Sequence, residues 1–580
     1  MRNLWLIIKN FFRHLWQGLR LVPYLRRQQI PHVLENFTKR ERNVVIASLL
    51  VIILSSGFLI NELFADDGLG PNYGGVLTEG LVGQPQYINP VLAPASGVDS
   101  DLSRVVYAQL LKFDQNQNLQ PDLAANLPEV SADRKTYTLK LRNNLQWQDG
   151  KPLTADDVVF TIQTIQNAEY ESPLRANWTR VKVQKLDDVT LSFQIREASA
   201  GFALNFTLGI IPKHVWGELT PQNFRLSDYN LKAVGSGPFM ITEIKKTSDG
   251  TIKSVNLKSH ADYFAGEPFI NRLTFRFYDS YDNLLNAYQG KEIQSLGFVP
   301  FDKQAFLTAN DKVNQYQANL PQYEAVFFNL SKAPVSEKAV RQALWLMTDR
   351  SKIIDEVYKG NAAAAFGPIL PGSLGYNASI EQAAHYDLTE AAKILDKAGW
   401  VLGPGATVRM KNKKPLEFTL ATSGMQMLNV KTAQILQSQW EQLGAKVHLN
   451  IVSSKDLDQN YIRSRNFDAI LVAENVGADP DPYPFWHSSQ SHDPGLNLSG
   501  FNNSEVDKLI TEARLTADEN VRIKNYARFQ EIINEQLPAI FLVRSLYIYN
   551  TPKKMLDVNL SNIVAPSERF ADISHWYFSD

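Results

Sequence analysis

Residues 467–488 read FDAILVAENVGADPDPYPFWHS. The apolar residues at 467–472 predict a strand, and the prolines that follow can continue neither a helix nor a central strand. The turn carries two carboxylates, Asp479 and Asp481, just beyond the carboxyl end of that strand. In open α/β sheets ligands bind at this edge. The stretch therefore predicts an α/β sheet with a ligand site at the turn, and the alternative is a rigid surface turn.

Helix and strand patterns alternate on the amino-terminal side of this stretch. Apolar residues share one helical stripe over 430–443, Gly444 ends that helix, and alternation over 447–451 predicts a strand. A helix is also predicted over 387–399, with a cap at its start and a glycine at its end. Alternating apolar residues over 181–195 predict a β-hairpin. This order of elements predicts an α/β lobe around a central sheet.

Composition limits the function classes that need consideration. The chain has 580 residues, which predicts several domains, and its formal net charge is -1. That balance does not favour a nucleic-acid partner. The chain has no cysteine, which excludes disulfides, thiolate metal sites and cysteine nucleophiles.

The amino-terminal part predicts a membrane anchor. Residues 44–60 read VVIASLLVIILSSGFLI, with an excess of Arg and Lys before them and acidic residues after them. The positive-inside rule then predicts a transmembrane anchor at 43–65, a cytoplasmic amino terminus and an extracytoplasmic carboxyl-terminal domain. A buried core helix and a cleaved signal peptide are the alternatives. Residues 63–65, LFA, form a poor cleavage site, which favours an uncleaved anchor.

Two short segments flank the predicted anchor. Residues 1–42 alternate apolar and basic side chains, which predicts an amphipathic cytoplasmic segment on the inner leaflet or a contact helix for a membrane partner. Residues 66–73 are rich in Gly, Asp and Pro, as expected of a tether.

A series of short motifs follows the tether in a fixed order. They are GGVLTEG at 74–80, INP at 88–90, PDLA at 121–124, WQDG at 147–150, LTADDV at 153–158, GSGPF at 235–239, VRQAL at 340–344, AGW at 398–400 and FNN at 501–503. Together they resemble the peptide- and nickel-binding family of ABC-importer solute-binding proteins, of the oligopeptide- and dipeptide-binding type. The resemblance covers residues 74–549.

The resemblance implies a two-lobed α/β fold of the periplasmic-binding-protein type (class II), with an extra inserted subdomain and two lobes that close over a ligand. The implied partners are a peptide ligand and the permease subunits of an ABC importer. The domain limits that follow are lobe I at 74–104, 226–324 and 541–580, the inserted subdomain at 105–225, and lobe II at 325–540.

The resemblance also implies a role for one carboxylate of the turn. In peptide-binding members an aspartate of the matching segment pairs with the ligand's amino terminus, and that role transfers to Asp479. Asp481 follows two positions later, whereas many relatives place their second acid three positions later, so both carboxylates stay candidates. Tyr483 and Trp486 are expected either to line the ligand cavity or to pack in the core.

Motifs for catalysis, cofactors and metals were also considered. The sequence has no Walker-type phosphate loop, no H-E-x-x-H and no G-x-S-x-G. The acidic pair Asp156 and Asp157 is too closely spaced to face a sugar from both sides. His487 and His492 alone are weak grounds for a metal site. We therefore expect no enzyme activity, no cofactor and no metal site.

These observations predict a membrane-anchored, extracytoplasmic solute-binding protein that captures an oligopeptide or dipeptide and delivers it to an ABC importer. Two alternatives stay open. One is a ligand sensor or scaffold that signals through the amino-terminal helices. The other is a binding protein for a non-peptide solute such as a nickel chelate or an oligosaccharide.

Overall fold

The computed structural model describes residues 38–40, 43, 71–308, 313–382, 386–425, 427–516 and 518–579. The chain divides into two compact units, Met1–Pro71 and Asn72–Asp580, and every element below belongs to the second. Nearly all of the predicted anchor at 43–65 and the predicted segment at 1–42 lie outside the described residues. Within the described part of the chain, no helix is long and apolar enough to cross a membrane.

The second unit mixes strands and helices throughout. The strands are β1 Val76–Val82, β2 Leu111–Phe113, β3 Leu119–Pro121, β4 Glu129–Val130, β5 Thr136–Lys140, β6 Val181–Lys185, β7 Thr190–Ile195, β8 Phe239–Lys246, β9 Ile252–Ser259, β10 Arg272–Tyr278, β11 Ser295–Leu296, β12 Val313–Asn319, β13 Gln322–Phe328, β14 Ala362–Ala364, β15 Met410–Lys411, β16 Lys414–Pro415, β17 Glu417–Ser423, β18 Lys446–Val452, β19 Ala469–Asn475, β20 Ala539–Pro552, β21 Met555–Leu556 and β22 Tyr577–Phe578.

The α-helices are α1 Gly97–Val106, α2 Ala155–Gln166, α3 Arg175–Trp178, α4 Lys213–Trp216, α5 Pro221–Phe224, α6 Tyr281–Gln289, α7 Phe301–Thr308, α8 Lys338–Leu346, α9 Arg350–Glu356, α10 Ser379–Gln382, α11 Leu388–Lys397, α12 Met427–Gln442, α13 Ser454–Asp456, α14 Tyr483–Trp486, α15 Ser504–Leu515 and α16 Glu519–Gln536. A π-helical turn spans Leu457–Ile462. Short 3-10 helices include Phe202–Phe206 and Pro566–Phe570.

A large mixed sheet organises the unit. Its strands run in the order β18-β17-β19-β13-β20-β11-β1-β10-β9-β8, and β12 and β14 also pair with β20. In one half β17 pairs in parallel with β18 and β19, and in the other half β1 pairs in parallel with β10 and β11. The α/β class predicted from the alternating patterns is confirmed.

The long strand β20 belongs to both halves of this sheet. It pairs with β13 up to Val543, whereas it pairs with β12 from Leu546 onward. The chain also crosses between the halves in the short link from β12 to β13. The two crossings lie near the predicted limits of lobe II at 325–540, and those limits stay a prediction.

The inserted subdomain has a sheet of its own, in the order β4-β5-β7-β6. The predicted hairpin forms there, with Val183 opposite Phe193 in antiparallel register. Helix α2 begins with a capping box in which Thr154 and Asp157 satisfy each other's backbone amides. The acidic pair of the LTADDV motif thus contributes to a helix start.

Helices cover both faces of the sheet in lobe II, so its strands are apolar on both sides. One face packs on α8, α11 and α12 through residues such as Trp440, and the other packs on α15 and α16 through residues such as Phe529. The predicted helices correspond to α11, capped by Asp387, and to α12. Strands β17 and β19 are parallel neighbours, so their carboxyl ends lie at the same edge of the sheet. The turn after β19 lies at that edge.

Candidate functional site

The turn after β19 is held in place by backbone contacts. The Val476 N–H donates to the Pro321 carbonyl over 2.8 Å, and the Gly477 N–H donates to Asn475 Oδ1 over 2.9 Å. Gly477 has a φ of 71°, a conformation that glycine adopts without strain. The chain then passes Asp479 and Asp481 and enters the short helix α14.

A cavity of about 650 Å³ separates this turn from the inserted subdomain. We call it the main cavity. Among the described residues that line it are Val476, Asp479, Asp481 and Arg514 on one side, and Arg180, Arg196, Gly201 and Asn205 on the other.

Asp479 lies beside Gly201 of the inserted subdomain. Its carboxylate forms an ion pair with Arg522 on α16, and both side chains are largely buried. Arg522 Nη2 also lies 3.2 Å from the Tyr526 hydroxyl oxygen. A Cβ atom placed on Gly201 would lie only 2.6 Å from Asp479 Oδ2. The glycine therefore lets the inserted subdomain come within contact distance of this carboxylate.

Asp481 is held more tightly by its own lobe. Its Oδ1 accepts the Tyr483 N–H over 3.1 Å, and its Oδ2 lies 3.3 Å from Arg514 Nε. Burial raises the pKa of the Asp481 carboxyl, and Arg514 opposes that increase. Both oxygens of Asp481 thus have a partner within lobe II. In the described part of the chain, Asp479 Oδ2 has no such hydrogen bond.

The Tyr483 ring packs against the guanidinium of Arg514. The Arg514 guanidinium lies over the Tyr483 ring, 4.5 Å from its centroid. The His487 ring stacks on the Tyr483 ring, with the two centroids 4.2 Å apart. Tyr483 is not among the described residues that line the main cavity. It contacts the cavity wall indirectly, through Arg514.

Trp486 lies in the core of lobe II. It is 1% exposed, and its ring packs near Phe327, Phe529 and Phe541 with centroid distances of about 6 Å. The structure places it away from the main cavity, as in the packing alternative stated for this residue. Its place in the core anchors the turn that carries the carboxylates.

The sequence reasoning did not identify Gly201, Arg514 and Arg522. The Ala200 N–H donates to the Arg514 carbonyl over 3.1 Å, so the inserted subdomain and lobe II touch beside the cavity. Arg522 is 43 residues from Asp479 along the chain. No local pattern could connect these residues, because Arg514 and Arg522 reach the turn through the packing of α15 and α16, and Gly201 reaches it from the inserted subdomain.

Two further cavities lie at the carboxyl end of β19. The central cavity, of about 380 Å³, is lined by residues that include Glu324, Asn429, Ala473, Asn475 and Val564. The Glu474 cavity, of about 420 Å³, shares Asn429, Ala473 and Asn475 with it. Val564 also lines the main cavity. The three cavities therefore follow one another around the carboxyl end of β19.

The two histidines after the turn do not join a cluster of metal ligands. The His492 ring nitrogen lies 2.9 Å from the Ser491 hydroxyl, and His487 stacks on Tyr483. Across the described residues, no group of three or more His, Cys, Asp or Glu side chains is arranged to hold a metal ion.

Comparison with known proteins relates this geometry to a family. The model for bacterial extracellular solute-binding proteins, family 5 Middle, matches residues 118–496. The oligopeptide-binding protein AppA of Bacillus subtilis is 28% identical over 510 residues, which are 86% of this chain and 92% of AppA. The nickel-binding periplasmic protein of Escherichia coli is 27% identical over 435 residues, which are 72% of this chain and 79% of that protein.

Solved structures agree with the sequence comparison. The structure of Bacillus subtilis AppA in complex with a nonapeptide covers 88% of this chain and 100% of its own, with 25% identity and a TM-score of 0.68. This likeness confirms the two-lobed α/β fold expected of a periplasmic binding protein. Because the family model matches well over half of the sequence, the chain belongs to the family 5 bacterial extracellular solute-binding proteins.

Proposed function

We propose that this protein captures peptides in the main cavity and delivers them to the permease subunits of an ABC importer. The observation that carries the proposal is Asp479, a largely buried carboxylate that lines the main cavity with its Oδ2 beside Gly201 of the inserted subdomain. The family and the relative named as an oligopeptide-binding protein support the peptide class.

The peptide's amino terminus would bind Asp479. An ammonium group that leaves water requires a charged acceptor, and a charge-assisted hydrogen bond contributes about 1.5–3 kcal/mol. Arg522 already pairs with Oδ1, so the ammonium would bind the Oδ2 side. Asp481 is the less suitable acceptor because Tyr483 and Arg514 engage both of its oxygens.

The adjoining cavities supply room for the rest of the ligand. The central cavity is lined from lobe I by residues such as Val564 and from lobe II by residues such as Asn429 and Asn475. An extended peptide that started at Asp479 could continue past Val564 into this space. Its backbone would hydrogen-bond to the cavity walls, which permits many side-chain sequences.

We also propose that residues 43–65 anchor the protein in the cell membrane as one transmembrane helix. The amino terminus would be cytoplasmic, and the second unit would lie outside, joined by the tether at 66–73. The uncharged run at 44–60 and the excess of basic residues before it support this arrangement.

Asp479→Asn tests the binding role. We expect it to weaken binding of peptides with a free amino terminus by about tenfold or more, because the amide cannot replace the charged acceptor. Isothermal titration calorimetry on the full chain in detergent, against a mixed peptide library and then single peptides, measures the change. Amino-acetylated peptides should bind the wild type more weakly and should respond little to the substitution.

Two further variants complete this experiment. Asp481→Asn should reduce affinity less than Asp479→Asn, and the exposed control Asp228→Asn should leave it unchanged. An unchanged dissociation constant for Asp479→Asn would contradict the assigned role. Failure of every peptide to bind the wild type would contradict the proposed ligand class.

A further inference from the structure

The Glu474 cavity contains a buried carboxyl group that the proposed function does not use. Glu474 is 9% exposed and lines the cavity at the carboxyl end of β19. Its Oε2 accepts a hydrogen bond from the Tyr323 hydroxyl over 2.8 Å. Its Oε1 is buried without a partner among the described residues. Such a group is costly to bury unless it binds a proton or meets a cation.

The walls of this cavity are mostly apolar. Seven apolar residues form most of the lining and can enclose an aliphatic chain, namely Leu457, Ile462, Val472, Ala473, Phe485, Leu496 and Leu498. A few neutral polar side chains complete the lining, namely Ser423, Ser454, Asn429 and Asn475.

Among the described residues that line the cavity, Glu474 meets no positive charge. None of the described residues that line the cavity is Lys, Arg or His. Tyr323 on β13 is the titratable group that contacts Glu474. The residues that line the cavity from β17, from the π-helical turn and from residues 496–498 have no titratable side chain. Burial raises the pKa of Glu474 to about 8, and the Tyr323 hydrogen bond opposes that increase. Burial therefore favours the protonated form of Glu474 at neutral pH.

These contacts favour one chemical class of ligand for the Glu474 cavity. A purely apolar group would fill the walls but leave Oε1 without a partner. An anion would meet a buried acid with no opposing cation. A chain of methylenes that ends in an ammonium group covers the walls and pairs with the carboxylate.

We propose that the Glu474 cavity is a specificity site for an aliphatic ammonium group, such as the side chain of a lysine in the bound peptide. This inference rests on the proposed peptide function and names a preferred substrate class. A free aliphatic diamine has the same chemistry, and the test below separates the two sources.

The test compares alanine-based pentapeptides that carry either lysine or norleucine at each position in turn. The two side chains have similar apolar length and differ in the terminal charge. At one position we expect lysine to bind the full-length wild type at least about tenfold more tightly than norleucine at pH 7. Titrations in two buffers of different ionisation enthalpy should also show release of about one proton, because the ammonium ionises a carboxyl group whose pKa exceeds 7.

Glu474→Gln is the matched variant. It should remove the lysine preference and the proton release while norleucine peptides keep their affinity within about twofold. The control Glu441→Gln removes the same charge from an exposed position of α12 and should keep both effects. Near-UV circular dichroism on each variant checks that the fold is intact.

Each outcome decides the inference. Equal affinity for lysine and norleucine peptides, or a lysine preference that survives in Glu474→Gln, would overturn it and leave the proposed peptide function intact. If no peptide binds, the proposed function fails, and 1,5-diaminopentane becomes the probe. Binding of that diamine with proton release lost in Glu474→Gln would support a free amine as the source, and no binding would overturn the inference as well.

Discussion

Two buried glutamates on strands of the same sheet have opposite surroundings. Glu79 on β1 meets Arg569 Nη2 at 2.6 Å and accepts hydrogen bonds from Ser295 and Tyr549. Arg569 also contacts Asp101 at 2.7 Å, so two carboxylates share one buried cation. Glu474 on β19 has one hydrogen-bond donor, Tyr323, and a neighbouring cavity.

The difference is whether the described residues supply a cation: Glu79 pairs with Arg569, whereas the residues that line the Glu474 cavity include no Lys, Arg or His. In lobe I the protein provides every partner, and the cluster ties β1 and α1 to the 3-10 helix at 566–570. Around Glu474 in lobe II, the described lining residues provide a carboxyl group and mostly apolar walls but no cation. A buried ion pair loses much stability when one partner is removed, whereas a neutral buried acid does not depend on a cation in this way.

The largest expected effect is in the lobe I cluster. Arg569→Met should lower the free energy of unfolding by about 3–5 kcal/mol, because Glu79 and Asp101 would lose their buried cation. Urea denaturation followed by circular dichroism measures the loss. Lys232→Met, which breaks the exposed pair with Asp228, should leave the free energy of unfolding nearly unchanged. A similar loss in both variants would contradict the structural role of the cluster.

A second effect, smaller per pH unit than that loss, concerns the pH dependence of stability. Burial raises the pKa of Glu474 to about 8 and that of Glu324 to about 7, from an ordinary value of 4.5. Between pH 4.5 and these raised pKa values, the folded state keeps protons on the two carboxyl groups that the unfolded state has released. The free energy of unfolding should therefore fall as pH rises from about 5 to 8, by up to about 1.4 kcal/mol per pH unit for each group.

Glu474→Gln isolates its share of that dependence. The variant should lose one group's contribution to the slope, and most of the remaining decrease should end near pH 7, where Glu324 titrates. Urea titrations at several pH values measure both slopes. Identical pH profiles for wild type and variant would show that Glu474 does not hold a proton in the folded state.

The smallest effect compares the two tyrosines that donate to these glutamates. Tyr549→Phe removes a hydrogen bond to the paired Glu79 and should cost about 2 kcal/mol, as expected for a bond to a charged group. Tyr323→Phe removes a hydrogen bond to a protonated Glu474 and should cost about 1 kcal/mol at pH 6. Urea denaturation of both variants at that pH gives the ranking. A larger cost for Tyr323→Phe than for Tyr549→Phe would indicate that Glu474 is ionised rather than protonated.

Several features of the fold were accessible from the sequence because they are local. The hairpin of β6 and β7 and helix α11 with its Asp387 cap both depend on neighbouring residues and were predicted from short patterns. The turn after β19 was also accessible, since its prolines exclude helix and strand. The motif order further identified the family that the comparisons confirmed.

The sequence left the roles within the turn undecided. It assigned the ligand's amino terminus to Asp479 with Asp481 as the alternative, and it left Tyr483 and Trp486 between the cavity and the core. The packing placed both carboxylates at the main cavity, Tyr483 beneath Arg514, and Trp486 among core aromatic rings. The binding roles themselves stay predictions that the Asp479 and Asp481 variants address.

The sequence by itself determined the secondary structure around the site, the likeness to a binding-protein family and the presence of acidic groups at a strand end. These depend on periodicity, turn chemistry and motif order, which a linear chain displays. The tertiary structure alone decided which acid has which partner. Arg522 is 43 residues from Asp479, and Tyr323 is 151 residues from Glu474. A charge is stabilised or left unpaired by the groups around it in space, and chain order does not contain that distance.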